Sequence, residues 1–211
     1  MGKPPSFDAA LGFSLHTGWA AAVAVTGDGE SIDVVLRQRL ELLASAASLP
    51  RFVYHRAAEL ELVEAEELIQ SAQVAARESA RKAIEEALRA MAGGHWKIRA
   101  AGIPTGSTVV PNELPRILAA HTLIHAAEGR LFHNALAEAC KTCGLPYFAI
   151  PQRDLWNKAA QAAAMDERRL RAQIDGLRKA AGPPWSADQK IATAAALFAL
   201  RSTKGSSRAD V

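Results

Sequence analysis

The first clear pattern along the chain is a pair of apolar runs flanking a short polar turn. Leu11 to Val25, LGFSLHTGWAAAVAV, interrupts its apolar positions with Ser14, His16 and Thr17. This reads as a β-hairpin, with strands over 9–16 and 19–26. Thr26-Gly27-Asp28-Gly29 supplies residues that tolerate the positive φ of a tight turn. A third strand follows from Ile32, where Ile32, Val34, Leu36, Leu40 and Leu42 stand against a solvent-facing row of Arg37, Arg39 and Glu41. Three strands joined by short turns make an antiparallel meander.

The period then changes. From Leu62 to Met91, apolar residues repeat every three or four positions (Leu68, Ala72, Ala76, Ala80, Ile84, Leu88), which predicts one long helix. Its opposite side is charged, with i,i+4 pairs such as Glu78 with Lys82 and Glu85 with Arg89, and Gly93-Gly94 ends it. The stripe of small residues suits close packing on a sheet or on a second copy, so a homodimer is one expectation. FVYHR around His55 reads as a short extended segment leading into this helix.

Trp96 to Ile103 reads as a fourth strand ended by Pro104, and a loop runs to Pro115. Ile117 to Cys143 reads as one helix, Tyr147 to Ile150 as a fifth strand, and 153–165, 167–181 and 186–200 as helices. The expected organisation is a flexible N-terminus over 1–8, one domain over 9–200 and a polar, flexible tail over 201–211.

Composition narrows the class. The 211 residues are 49% hydrophobic and 22% charged, enough for one full core, and no apolar run is long enough for a membrane span. Nor does MGKPPSFDAA resemble a signal peptide, so a cytoplasmic protein is expected. A net charge of +3 permits a nucleic-acid partner without demanding one. Cys140 and Cys143 form a lone C-x-x-C at a helix C-terminus, where the helix dipole opposes a thiolate, so reduced, semi-buried thiols are expected.

The element order resembles the RNase H-like fold, and the C-terminal half resembles the RuvC-type Holliday-junction resolvases. GRLFHNALAEACKTCGLPYFAIPQRDLWNKAAQ, then DERRLRAQIDGLRK, then WSADQKIATAAALFAL, are similar to that family's helix, strand, basic helical stretch and closing Ala-rich helix. GFSLHTGWAAAVAV is similar to its first hairpin. The resemblance implies an α/β fold: a mixed five-stranded sheet with helices on both faces, in the order βββαβαβα plus extra C-terminal helices.

It also implies phosphodiester cleavage by two divalent cations held on carboxylates of the first strand, the fourth strand and the last helix. Here the first-strand position falls on Ser14, the fourth strand KIRAAGI has no acid, and the last helix offers Asp188 with Ile191 one turn on. Glu113, in the loop, is the one further acid in reach. The expectation is a catalytically degenerate relative that binds structured DNA or RNA, or a protein partner. The alternative is a metal-dependent enzyme, either a residual nuclease using Asp188 or another hydrolytic chemistry at His16, His121, His125 and Glu128. Asp188 also suits a first helical turn, where acids complement the dipole.

His121, His125 and Glu128 occupy positions i, i+4 and i+7 within an arc of about 60°. They are candidates for substrate binding, for polar packing, or for a divalent metal with His16 as the fourth ligand. His55, His95 and His133 lie off this face and read as surface or core residues. Arg153, Lys158, Arg168, Arg169, Arg171, Arg178, Lys179 and Lys190 make the region after the fifth strand basic, a candidate phosphate-contacting face with Trp156 and Trp185 nearby.

Overall fold

The structure is a computed structural model that describes residues 7–27, 31–43 and 49–206, with backbone alone over 204–206. Part of the turn expected at Thr26–Gly29, most of the expected N-terminal segment and the last residues of the expected tail lie outside the described residues.

Strands β1 (Phe7–His16), β2 (Trp19–Gly27) and β3 (Ile32–Glu41) form the expected meander. Gly18, at φ 83°, makes the β1–β2 turn possible, and its carbonyl accepts from the backbone N–H groups of Leu42 and Leu43. β4 (Trp96–Thr105) and β5 (Tyr147–Pro151) complete a sheet of order β3-β2-β1-β4-β5, in which β1, β4 and β5 run parallel. This is the mixed five-stranded α/β architecture expected from the sequence. β4 continues through Pro104. Its pairing with β1 ends at Gly102, so beyond that point it follows β5 alone.

One face of the sheet is covered by α1 (Val53–Ala57), α2 (Leu62–Ala92), α3 (Leu114–Leu118) and α4 (His121–Thr142). FVYHR is thus helical rather than extended. The helix expected over 117–143 is two helices, because Ala120 is extended at φ −134° and ψ 117°. The small-residue stripe of α2, Ala65, Ala72, Ala76 and Ala80, is fully buried, with α2 packed on α4, α1, β3 and β4. It is core, and it leaves no free surface for the homodimer expected from it.

The other face carries α5 (Leu155–Ala162), α6 (Glu167–Gly176), α7 (Arg178–Ala181) and α8 (Ala187–Ser206), after a 3-10 turn at Gln152–Asp154. Residues 153–165 are therefore a turn and a shorter helix, and 167–181 divides after Gly176. α8 runs past 200 into the expected tail.

α8 lies directly on the strand backbones. A Cβ at Gly12 would overlap the carbonyl oxygen of Ala192, and one at Gly102 that of Ala195. Arg37, expected in a solvent row, instead donates to the carbonyls of Gly182, Pro183 and Pro184 and so fixes the segment leading to α8. Trp185 is buried and donates its indole N–H to the Ile174 carbonyl at 2.9 Å, which makes it a core anchor rather than a stacking platform.

Candidate functional site: a cleft at the carboxyl ends of the parallel strands

Alternation along β1 sends Leu11 and Phe13 into the α2/α4 core and Gly12, Ser14 and His16 to the α8 face. The first turn of α8 then brings Asp188 over β1. Its Oδ1 accepts from Ser14 Oγ at 3.0 Å and lies 2.7 Å from His16 Nε2. Ser14 is 5% exposed. The His16 ring stacks on Trp19, with centroids 4.1 Å apart and planes 5° from parallel, and the Arg39 guanidinium lies 3.9 Å from the same indole. Ser14, Asp188 and His16 are thereby brought together as one hydrogen-bonded set.

A cleft of about 390 Å³ opens beside them, where β1, β4 and β5 end. Such crevices at the carboxyl ends of parallel strands are where α/β sheets place ligands. Ser14, Thr105, Thr108, Gln152 and Ile191 line it from the sheet side and α8, while α4 contributes His125, Gly129, Arg130 and His133. Arg130 donates to the carbonyls of Val110 and Pro111 and so pins the loop after β4 over the opening. Burial pushes the His133 imidazole below its ordinary pKa, opposed by a hydrogen bond with Asn134, and its Nε2 is buried without a hydrogen-bond partner. Helical spacing alone leaves His133 outside any site. At i+8 it stands about 80° around α4 from His125, so no spacing signal in the sequence assigns it to the cleft.

The expected grouping of His16 with His121, His125 and Glu128 does not form: His16 belongs to Asp188. Glu128, 3% exposed, turns inward and accepts from the backbone N–H groups of Tyr54 at 2.8 Å and His55 at 3.4 Å. His55, read as a surface or core residue, instead packs edge-on against His121 and His125, and one ring nitrogen of each of the three lies within 4.8 Å of the others. Among the described residues this is the group of three or more His, Cys, Asp or Glu side chains with metal-compatible spacing. Glu113 stands exposed before α3 and does not line the cleft.

The basic region is partly neutralised. Arg171 pairs with Glu167 and covers Trp156, with its guanidinium carbon 4.0 Å from the ring centroid, and Lys190 pairs with Asp175 at 2.8 Å. Arg153 is exposed with Asp154 at 3.6 Å; Arg168, Arg169, Arg178 and Lys179 are exposed, and Lys158 is half-buried. Cys140 and Cys143 are free thiols. Burial pushes Cys140 up to about 12, and burial together with the neighbouring Glu85 raises Cys143.

No family model and no curated protein matches the chain. Solved structures do. The Thermus thermophilus RuvC in complex with a Holliday junction substrate matches with a TM-score of 0.55 at 12% identity, covering 93% of this chain and 96% of that one. A second Thermus thermophilus RuvC structure gives 0.49 at 11% identity, over 94% and 96%. At 12% identity the likeness is one of architecture. Together with the sheet order and the helices on both faces, it establishes that this chain has an RNase H-like fold.

Proposed function

We propose that this chain binds structured nucleic acid, branched DNA first among the classes to test, at the strand-end cleft, and that its centre is not built for two-metal cleavage. The carrying observation is Asp188. Where the fold's nucleases gather carboxylates around two cations, this chain sets one carboxylate whose Oδ1 already takes Ser14 and His16, with the apolar Ile191 lining the cleft one turn on. One acid does not offset the charge of two divalent ions or supply their oxygen ligands. The residues present therefore do not fit that metal pair.

The same centre suits binding. Arg130 and His125 give the cleft nitrogen donors, Ser14, Thr105, Thr108 and Gln152 give neutral hydrogen-bonding groups, and Arg153 and Lys158 follow β5 on the adjoining surface. Phosphate oxygens are the ligand such a lining matches. The RNase H-like neighbour bound to a Holliday junction supports testing branched DNA before other forms.

The test is fluorescence anisotropy with a labelled four-way junction, a matched duplex and a hairpin RNA, in EDTA across a salt series, beside cleavage assays in magnesium and manganese. The expected result is salt-sensitive binding that favours a structured substrate, with the substrate left intact. Cleavage abolished by Asp188→Asn would overturn the reading in favour of a residual nuclease. Absence of salt-sensitive binding would overturn it in favour of a protein partner.

A further inference from the structure

We infer that His55, His121 and His125 form a zinc site at the edge of the cleft, with Glu128 holding His55 in the ligating orientation. His121 and His125 sit one turn apart at the start of α4, and their Nε2 atoms are 2.9 Å apart. In a tetrahedral site with Zn–N bonds of about 2.0–2.1 Å, two ligand nitrogens stand about 3.3 Å apart, so this pair needs little adjustment to share an ion. α1 delivers the third imidazole. His55 meets the other two rings at centroid distances of 5.6 and 4.6 Å.

Glu128 argues that the cluster is more than packed rings. Its Oε1 lies 3.3 Å from His55 Nδ1, so it accepts a hydrogen bond there and leaves His55 Nε2 with its lone pair free. A carboxylate behind a ligating histidine is the usual support of zinc sites, because it fixes the tautomer and raises the ligand's basicity. The other oxygen, Oε2, is buried without a hydrogen-bond partner. A buried anion with one oxygen unsatisfied is costly, and a divalent cation held on the adjacent imidazoles offsets that cost. Hydrogen bonding between the two rings accounts for the His121–His125 distance but leaves Glu128 Oε2 without a partner.

The proposed ligand set thus differs from that expected from helical spacing. His55 replaces His16, and Glu128 stands behind a ligand instead of being one. Imidazole ligands select zinc and its neighbours over magnesium or calcium. Three protein ligands leave a fourth position for water or an anionic oxygen, and His125 also lines the cleft, which places that position at its rim.

The test uses the full chain, stripped with EDTA, dialysed and titrated with zinc alone by calorimetry, with cobalt(II) as the spectroscopic substitute. The expected result is one ion per chain and the visible absorption of tetrahedral cobalt. His55→Ala, His121→Asn and His125→Asn abolish both, while His95→Ala, at an exposed histidine outside the cleft and the cluster, leaves both intact. Glu128→Gln weakens binding about 10–100-fold. His121 and His125 are exposed, so their variants keep the fold, which circular dichroism verifies. Failure of the wild type to take up zinc in molar excess overturns the proposal, as does undiminished uptake by the His121→Asn/His125→Asn double variant. The bound ion is read directly, so this result is independent of whether the cleft takes nucleic acid.

Discussion

Ser14 Oγ donates to Asp188 Oδ1 across 3.0 Å, although the two residues stand 174 positions apart and belong to the first strand and the last helix. That bond marks the point where the fold's chemistry has to be decided. A serine here gives Asp188 a hydroxyl donor beside the His16 imidazole. A second carboxylate at the same position would need a cation between the two.

Ser14→Asp therefore makes stability depend on divalent metal. Two carboxylates about 3 Å apart repel, and in EDTA the variant is expected to melt several degrees below wild type. Millimolar magnesium or manganese restores much of the loss, while the wild type responds little. Thermal melts of both proteins with and without metal check this. An equal response to metal in both would show that position 14 does not face Asp188 as described.

α8 carries Asp188, and α8 is seated by two glycines. Gly12→Ala and Gly102→Ala each place a methyl group against backbone, of Ala192 and Ala195 respectively, which cannot retreat as a side chain tip could. Each is expected to cost about 1–3 kcal/mol or more, read as a lower denaturant midpoint. Gly106→Ala, whose added methyl group would meet nothing within 4 Å, serves as the neutral control.

Much of the framework was legible from periodicity. The β1–β2 hairpin followed from apolar runs around the polar Ser14, His16 and Thr17, and the span of α2 from its three- and four-residue spacing. What escaped were features set by contacts between distant segments. Ala119 and Ala120 favour helix intrinsically, so the break before α4 left no trace in propensity. His16 shares no helix face with α8, and its pairing with Asp188 depends on β1 register against that helix. His55 reaches α4 through the docking of a five-residue helix, which no spacing rule reports. Helical spacing did place His121 with His125, the one pair of the cluster that is local.

His133 gives the fold a pH dependence of definite sign. Burial lowers its folded pKa below the unfolded value of about 6.5, so the unfolded chain binds the proton more readily. The contribution to stability is complete above about pH 6.5 and declines as pH falls through that value toward the lower folded pKa. His133→Gln removes this component. The difference in melting temperature between wild type and variant should therefore shrink or reverse between about pH 7 and pH 5, measured in EDTA to silence bound metal.

The cysteines separate by burial. Cys140 is fully buried with its pKa pushed up to about 12, while Cys143 is partly exposed and raised less strongly. Since the thiolate is the reactive form, native protein at about pH 8 should incorporate one equivalent of an alkylating reagent slowly at Cys143, with Cys140 modified after unfolding. Mass spectrometry of the alkylated peptides decides it, and early labelling of Cys140 would contradict the packing of α4.

Gly129 separates fold from function at one position. It lies within α4 on the cleft wall, and a Cβ there meets nothing within 4 Å. Gly129→Ala is expected to stabilise the protein by about 0.5–1 kcal/mol, because alanine loses less backbone entropy in a helix and no clash opposes it. Gly129→Leu keeps that helical gain but projects a branched side chain into the cleft. Its denaturant midpoint should match or exceed wild type while affinity for the four-way junction falls at least tenfold. Junction affinity unchanged in a well-folded Gly129→Leu protein would place nucleic-acid contact elsewhere, with the exposed Arg168, Arg169, Arg178 and Lys179 the next surface to neutralise.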